Sequence, residues 1–170
     1  YTTQRIDEFF QWLFNSAEIK NFDTVGIDST SQMADIYLQE AAKTIKHGLQ
    51  QYGEMATKTM NHLRTLYFTR QKHTYLIAKE EILNVNNIQM RRPYFPGKQL
   101  NVDIPFMFDA ILHLSKANIP NVGETLAFRC IGSYDVIARN RTGTLNEYEP
   151  PNFSEIVNKK RGVSRSFIDK

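Results

Sequence analysis

Hydrophobic positions in the first half of the chain recur at spacings typical of amphipathic helices. The opening segment predicts a helix because its apolar residues lie three or four positions apart: Ile6, Phe9, Phe10, Leu13 and Phe14. The same periodicity predicts a second helix from about Ser31 to Ile45 and a third from about Leu49 to Phe68. Three helices, each with one apolar face, are therefore expected before residue 70.

Two short apolar runs, one after the first predicted helix and one after the third, predict buried strands. The first, Phe22–Ser29, ends abruptly in a carboxylate and a hydroxyl, and the second, His73–Ala78, also runs into charged residues. Helices that alternate with short apolar strands are typical of a mostly parallel sheet with helical crossovers. We therefore expect an α/β fold in a single domain of residues 1–170.

The hydrophobic pattern changes after residue 83. The segment from Leu83 to Asn101 is basic and rich in Asn, Pro and Gly, which predicts a long loop that is either functional or disordered. Beyond this loop the sequence predicts, in chain order, a helical turn, three strands and a short helix: Ile104–Asp109, Ala110–Leu114, Thr125–Cys130, Tyr134–Ala138 and Phe153–Asn158.

Composition places the chain among ordinary globular proteins. Hydrophobic residues make up 41% and charged residues 23% of its 170 residues, and no run is long enough to span a bilayer. We therefore expect no membrane partner and a cytoplasmic location. The single cysteine, Cys130, lies in an apolar stretch, which predicts a buried and inert thiol. A basic tail over residues 159–170 is either a solvated terminus or a cluster that attracts phosphate.

Asp28 and Ser29 form the first candidate site, because a strand that ends in an acid is the Walker B pattern. Open α/β sheets bind ligands at the carboxyl ends of their strands, where Asp28 could hold Mg²⁺ through water. An aspartate also often caps the helix that follows a strand, Ser29 and Thr30 could cap it too, and the pattern alone favours a capping role over a metal site. Lys79 and Glu80 follow the second strand, where they could contact a phosphate or could simply be solvated.

Arg139 and Arg141 form the second candidate site, beside the turn residue Gly143. Two arginines could bind a phosphate bidentately, although an exposed basic hairpin has the same sequence pattern. A zinc site is not indicated, because the four histidines are scattered without ligand spacing: His47, His62, His73 and His113.

Taken in order, these segments resemble the phage-encoded RecA-like ATPases, a branch of the AAA-type P-loop proteins associated with single-strand DNA annealing and recombination. The resemblance covers most of the chain from about Asp23 and rests on the order of these segments: Thr24–Ser29, Lys46–Gly48 with Tyr52–Gly53, Tyr75–Glu80, Pro96–Leu100, Phe108–Asp109, and Arg139–Gly143 with Glu149–Pro150. It implies a RecA-like core with helices on both sides of the sheet, ATP and Mg²⁺ as cofactors, and assembly into a ring or filament.

The resemblance also implies roles around the nucleotide. Asp28 is then the Walker B acid that holds Mg²⁺. Ser29 and Lys79 lie beside the nucleotide, and Glu80 lies at the sensor-like strand end. The arginines after the last strand supply a basic finger that reaches a phosphate: Arg139 or Arg141.

A partner is implied as well. The loop from Leu83 to Asn101 faces single-stranded DNA, because rings stack on bases while cations follow the phosphate backbone. The residues expected to contact DNA are both basic and aromatic: Arg91, Arg92, Tyr94, Phe95 and Lys98.

One departure from the family concerns the phosphate-binding loop. Such ATPases begin with a strand and the loop G-x-x-x-x-G-K-[ST], which occurs nowhere in this sequence. We therefore expect that segment to lie upstream, and little or no ATP hydrolysis by these 170 residues alone. The hypothesis is an ATP-dependent single-stranded-DNA-binding protein of phage recombination or replication, active in the host cytoplasm. The alternatives are a non-enzymatic nucleic-acid-binding module and a structural or assembly protein of a virion.

Overall fold

A computed structural model describes residues 2–68 and 72–168, without the side chains of residues 161–168. The chain forms two compact units, and the expected single domain stays a prediction. The first unit contains residues 1–79 and 93–107, and the second contains residues 80–92 and 108–170. Each unit is described by itself below.

The first unit combines helices with two strands. Its elements, in chain order, are α1 (Thr3–Asn15), a 3₁₀-helix (Ala17–Asn21), β1 (Thr24–Asp28), α2 (Thr30–Thr44), α3 (Gly48–Phe68), β2 (His73–Ile77) and, after two strands described below, α4 (Lys98–Met107). The three helices and two strands that the sequence predicted in this region are confirmed, with ends shifted by a few residues.

Strands β1 and β2 pair in parallel, with Thr24 opposite His73 and Asp28 opposite Ile77. Helices α2 and α3 form the crossover between the two strands, which parallel pairing requires. The ring of Tyr75 lies over Gly26, where a Cβ atom would stand 2.4 Å from the ring, so the position needs a glycine. The core is built mainly from one face of each helix: Phe10, Leu13, Met33, Tyr37, Met55, Met60, Leu63 and Leu66.

The second unit is mostly antiparallel. It holds most of β3 (Lys79–Val85) and β4 (Ile88–Tyr94), followed by β5 (Ala110–Ile111), β6 (His113–Ile119), β7 (Gly123–Arg129), β8 (Arg139–Asn140), β9 (Tyr148–Glu149) and α5 (Phe153–Ile168). Strands β3 and β4 form a hairpin, β5 pairs with β8, and β6, β7 and β9 form a three-stranded sheet. Its core includes Phe128, Leu145, Ile156 and the predicted buried thiol of Cys130, whose pKa burial raises to about 11.

The predicted RecA-like core with a mostly parallel sheet is wrong. Within the described ranges, β1 and β2 form the one parallel strand pair, and the other sheets have two or three short antiparallel strands. The physical reason lies in the connections, because tight turns can join only antiparallel neighbours. Asn86 and Asn87 connect β3 to β4, and the turn around Asn121 connects β6 to β7.

Two smaller predictions in the second half are also wrong. The predicted loop from Leu83 to Asn101 contains most of the β3–β4 hairpin and the first turn of α4. The predicted strand Tyr134–Ala138 is irregular, with a single bridge from Val136 to Arg91. The helical turn predicted at Ile104–Asp109 belongs to the longer helix α4, and the short terminal helix extends to Ile168. In the basic tail, the side chains of Arg161 and Arg165 and the whole of Lys170 lie outside the described residues.

Candidate functional site

Asp28 is the most accessible candidate in the first unit. It occupies the carboxyl end of β1 and is exposed, and its carboxylate makes no hydrogen bond or ion pair with any residue that the structure describes. Ser29, not Asp28, caps helix α2, because the Ser29 hydroxyl accepts a hydrogen bond from the backbone N–H of Gln32 at 3.2 Å. Of the residues that could cap this helix from the sequence, Ser29 is the one that does so, and the Asp28 carboxylate stays accessible.

The first turn of α2 anchors the start of β3. Ser31 is fully buried, and its hydroxyl donates to the Tyr94 carbonyl at 2.6 Å while accepting from the Lys79 amide at 2.9 Å. Thr30 is also fully buried, and its hydroxyl oxygen has no hydrogen-bond partner in residues 2–68 and 72–168. The backbone of Lys79 is therefore held against the helix N-terminus that follows Asp28.

The side chain of Lys79 is already engaged. Its ammonium group lies 3.1 Å from the carboxylate of Asp35, one turn into α2. The edge thus has one accessible carboxylate, Asp28, and one lysine–aspartate pair. No group of three or more potential metal-ligating side chains occurs in the part of the chain that the structure describes. This donor set fits Mg²⁺ bound to phosphates, which needs only one or two protein carboxylates, and does not fit an all-protein metal cage.

Glu80 lies in the second unit, within a cluster that the sequence did not predict. Its carboxylate accepts hydrogen bonds from Arg91 at 2.8 Å and from Nε2 of His113 at 2.5 Å. Partial burial alone would raise the pKa of Glu80, but the hydrogen bonds and charges of His113 and Arg91 together lower it. Local sequence carries no signal for this contact, because His113 lies 33 residues after Glu80.

The two candidate finger arginines, Arg139 and Arg141, differ in burial and in the hydrogen bonds that they make. Arg139 donates from Nη2 to the Phe108 carbonyl at 3.0 Å, and burial, followed by the nearby charge of Arg141, lowers its pKa. Arg141 is exposed, and its backbone N–H donates to the Asp109 carbonyl. Of the two, Arg141 is placed to reach a ligand, while Arg139 ties β8 to the segment before β5.

Most of the residues expected to contact DNA are engaged elsewhere. Arg91 pairs with Glu80, and Arg92 pairs with Glu81 at 2.7 Å. Phe95 is buried, and its backbone is held by the side chain of Asn101. Tyr94 is partly buried and accepts from Ser31 through its carbonyl, whereas Lys98 is exposed at the start of α4.

A second network that the sequence did not predict links three helices of the first unit. The buried hydroxyl of Tyr37 lies 2.8 Å from both the Asp7 carboxylate and Nε2 of His62, and these two atoms are 3.0 Å apart. The His62 ring stacks on Phe10 with centroids 4.0 Å apart. Burial and the adjacent Asp7 raise the pKa of Tyr37, so the phenol stays protonated and serves as a packing contact between α1, α2 and α3.

No helix in the described ranges is both long and apolar enough to cross a membrane. The resemblance to phage ATPases rests on the sequence motifs alone, because no protein-family model, no curated protein and no solved structure matches this chain.

Proposed function

We propose that the first unit binds the phosphates of a nucleoside triphosphate, ATP, as its Mg²⁺ complex at the carboxyl edge of β1 and β2. The observation that supports this proposal is the exposed carboxylate of Asp28 at the end of a parallel strand, which has no side-chain partner among the residues that the structure describes. Ligands of open α/β sheets bind at such an edge, and helix α2, with the positive end of its dipole, begins two residues after Asp28.

Asp28 would hold the metal ion, directly or through water, and Mg²⁺ would offset the charge of the triphosphate. Ser29 contributes by fixing the start of α2, since its hydroxyl is already used as the cap. Lys79 can contact a phosphate only after its ammonium leaves Asp35. Because the sequence has no G-x-x-x-x-G-K-[ST] loop, we propose binding by this chain and not turnover.

Titration of a fluorescent ATP analogue, with Mg²⁺ and with EDTA, tests the proposal. We expect Mg²⁺-dependent binding, and we expect Asp28→Asn to weaken its Mg²⁺-dependent part about tenfold, as for the loss of one charged ligand (about 1.4 kcal/mol). Asp23→Asn is the matched control, because Asp23 is exposed just before the other end of β1. Equal affinity for wild type and Asp28→Asn would contradict the proposal.

A second function, binding of single-stranded DNA, is supported by one residue of the predicted DNA-contacting set. Lys98 is exposed, and no ion-pair partner for it occurs among the residues described. A sequence pI of about 9.0 also favours attraction of phosphate. A role in phage recombination stays a prediction, and so does the alternative of a virion assembly protein. Absence of DNA binding even at low salt would favour the assembly role.

A further inference from the structure

The turn of the β3–β4 hairpin and the strand residues next to it carry no charged side chain, and we call this segment the hairpin arm (residues 82–90). Its nine residues include no acidic or basic side chain. Three of its apolar side chains are exposed, with Ile82 at 50%, Val85 at 43% and Ile88 at 39% of their full areas. Its polar residues are exposed amides: Asn84, Asn86, Asn87 and Gln89. An exposed arm of this composition is suited to contact with another protein strand.

The charges at the base of the arm cancel in pairs. Arg91 pairs with Glu80 and Arg92 pairs with Glu81, so each arginine meets a carboxylate on the neighbouring strand. A polyanion such as DNA gains little from arginines that are already neutralised. The arm therefore lacks the features that would make it a phosphate-binding element.

The arm also has an unpaired edge. Strand β3 has β4 as its single strand neighbour within residues 2–68 and 72–168, so its outer edge presents backbone donors and acceptors. A two-stranded hairpin is marginally stable, and a further strand would stabilise it. Native proteins often protect such edges with charge or proline, and neither is present between Ile82 and Val85.

We propose that β3 pairs with β3 of a second copy of this chain, antiparallel and two-fold symmetric about Ile82. In that register Ile82 meets its own equivalent, Leu83 meets Glu81, and Asn84 meets Glu80. No two like charges lie opposite each other, and the centre of the interface is apolar. This pairing is an isologous contact that closes as a dimer.

A comparison with β6, another long edge strand, supports the choice of β3. Strand β6 is at the edge of the three-stranded sheet, and Lys116 is its central residue. Two-fold pairing of β6 would place Lys116 opposite its own equivalent, and such like charges are destabilising. The chain thus protects one edge with a central lysine and leaves an isoleucine at the corresponding position of the other.

The dimer goes beyond the proposed nucleotide site and does not depend on it. One strand pairing buries much less surface than a standard stable interface of about 1,600 Å². We therefore expect a weak dimer whose population rises with protein concentration, over the micromolar to millimolar range.

Sedimentation velocity over a concentration series tests the inference. We expect wild type to shift from monomer to dimer, and we expect Ile82→Lys to stay monomeric because it places two ammonium groups face to face. Leu114→Lys is the matched control, because Leu114 is on β6 and 51% exposed, and it should dimerise like wild type. An equimolar mixture of Ile82→Lys and Ile82→Glu should form a heterodimer that neither variant forms alone.

Three outcomes would overturn the inference. They are a wild-type chain that stays monomeric at about 1 mM, dimerisation that Ile82→Lys leaves unchanged, and no heterodimer in the mixed sample. Circular dichroism of each variant separates loss of the interface from loss of the fold. If Ile82→Lys instead changes affinity for single-stranded DNA without affecting assembly, the arm is a nucleic-acid element and the inference is also wrong.

Discussion

The carboxylate of Glu149 is enclosed by the second unit, with only 2% of the residue exposed. It accepts hydrogen bonds from the backbone N–H of Asn146 at 2.7 Å and from the Lys159 ammonium at 2.5 Å. Through these contacts one buried residue joins β9 to α5. A charge in such a position is tolerated only while its partner stays in place, because an isolated buried charge is strongly unfavourable.

Substitution of the partner should therefore be costly. We expect Lys159→Met to lower the free energy of unfolding by about 3 kcal/mol, measured by urea denaturation, since Glu149 would be left buried and unpaired. Lys116→Met is the control, because its ion pair with Glu124 is exposed and is worth about 0.5 kcal/mol. Similar losses for the two variants would show that Glu149 does not depend on Lys159.

Single residues of the candidate site were predictable to different degrees. Asp28 could be found from sequence, because a strand ending in an acid is a local pattern and β1 is where it was expected. His113 could not, because its contact with Glu80 depends on how distant strands meet. The pairing of Arg91 with Glu80 and of Arg92 with Glu81 was missed for the same reason, and the predicted contact of both arginines with DNA stays a prediction.

At the scale of elements, Glu80 joins β3 to two other strands, because its carboxylate receives hydrogen bonds from Arg91 on β4 and His113 on β6. Since the folded-state pKa of Glu80 is lowered, its ionised form stabilises the fold above the ordinary value of 4.5. That contribution is lost as the pH falls through the lowered folded-state pKa. The base of the hairpin should therefore be less stable in acid than at neutral pH.

Hydrogen exchange of the backbone amides of β3 and β4 measures this effect. We expect protection to fall between neutral pH and a pH below 4.5, after correction for intrinsic exchange rates. In Glu80→Gln the protection should be lower at neutral pH and should change less with pH. Glu124→Gln, on the exposed pair with Lys116, should behave like wild type. A wild-type pH profile in Glu80→Gln would rule out this role for Glu80.

Helices and turns were predicted from sequence with unequal success for a physical reason. The apolar stripes of α1, α2 and α3 repeat over several turns, so one misleading residue does not hide the period. The hairpin depends on two residues, Asn86 and Asn87, whose φ angles are +52° and +64°. Asparagine tolerates such angles and is favoured in two-residue turns, but a run rich in asparagine also has the composition of a loop.

At the scale of the whole chain, the connections decided the fold more than the strands did. The segment from Thr30 to Phe68 forms two helices, and this long crossover allows β1 and β2 to be parallel. The short turns later in the chain allow only antiparallel pairs. A strand pattern alone does not carry that distinction, which is why the predicted parallel sheet was wrong.

Net charge also has to be judged over the whole chain. The sequence has 21 Lys and Arg against 18 Asp and Glu, and several of these basic side chains are held in ion pairs. Any binding of single-stranded DNA should therefore involve few phosphate contacts. Such binding should be weak at physiological salt and should strengthen as the salt concentration falls.

The salt dependence of DNA affinity tests the contribution of Lys98. Each phosphate contact with a single strand contributes about 0.7 to the slope of log K against log salt. We expect Lys98→Ala to reduce that slope by about 0.7, because its exposed ammonium is available to a phosphate. Lys116→Ala is the control, since Glu124 already neutralises that exposed lysine. An unchanged slope in Lys98→Ala would remove Lys98 from the DNA contact, and equal losses in both variants would indicate attraction by overall charge alone.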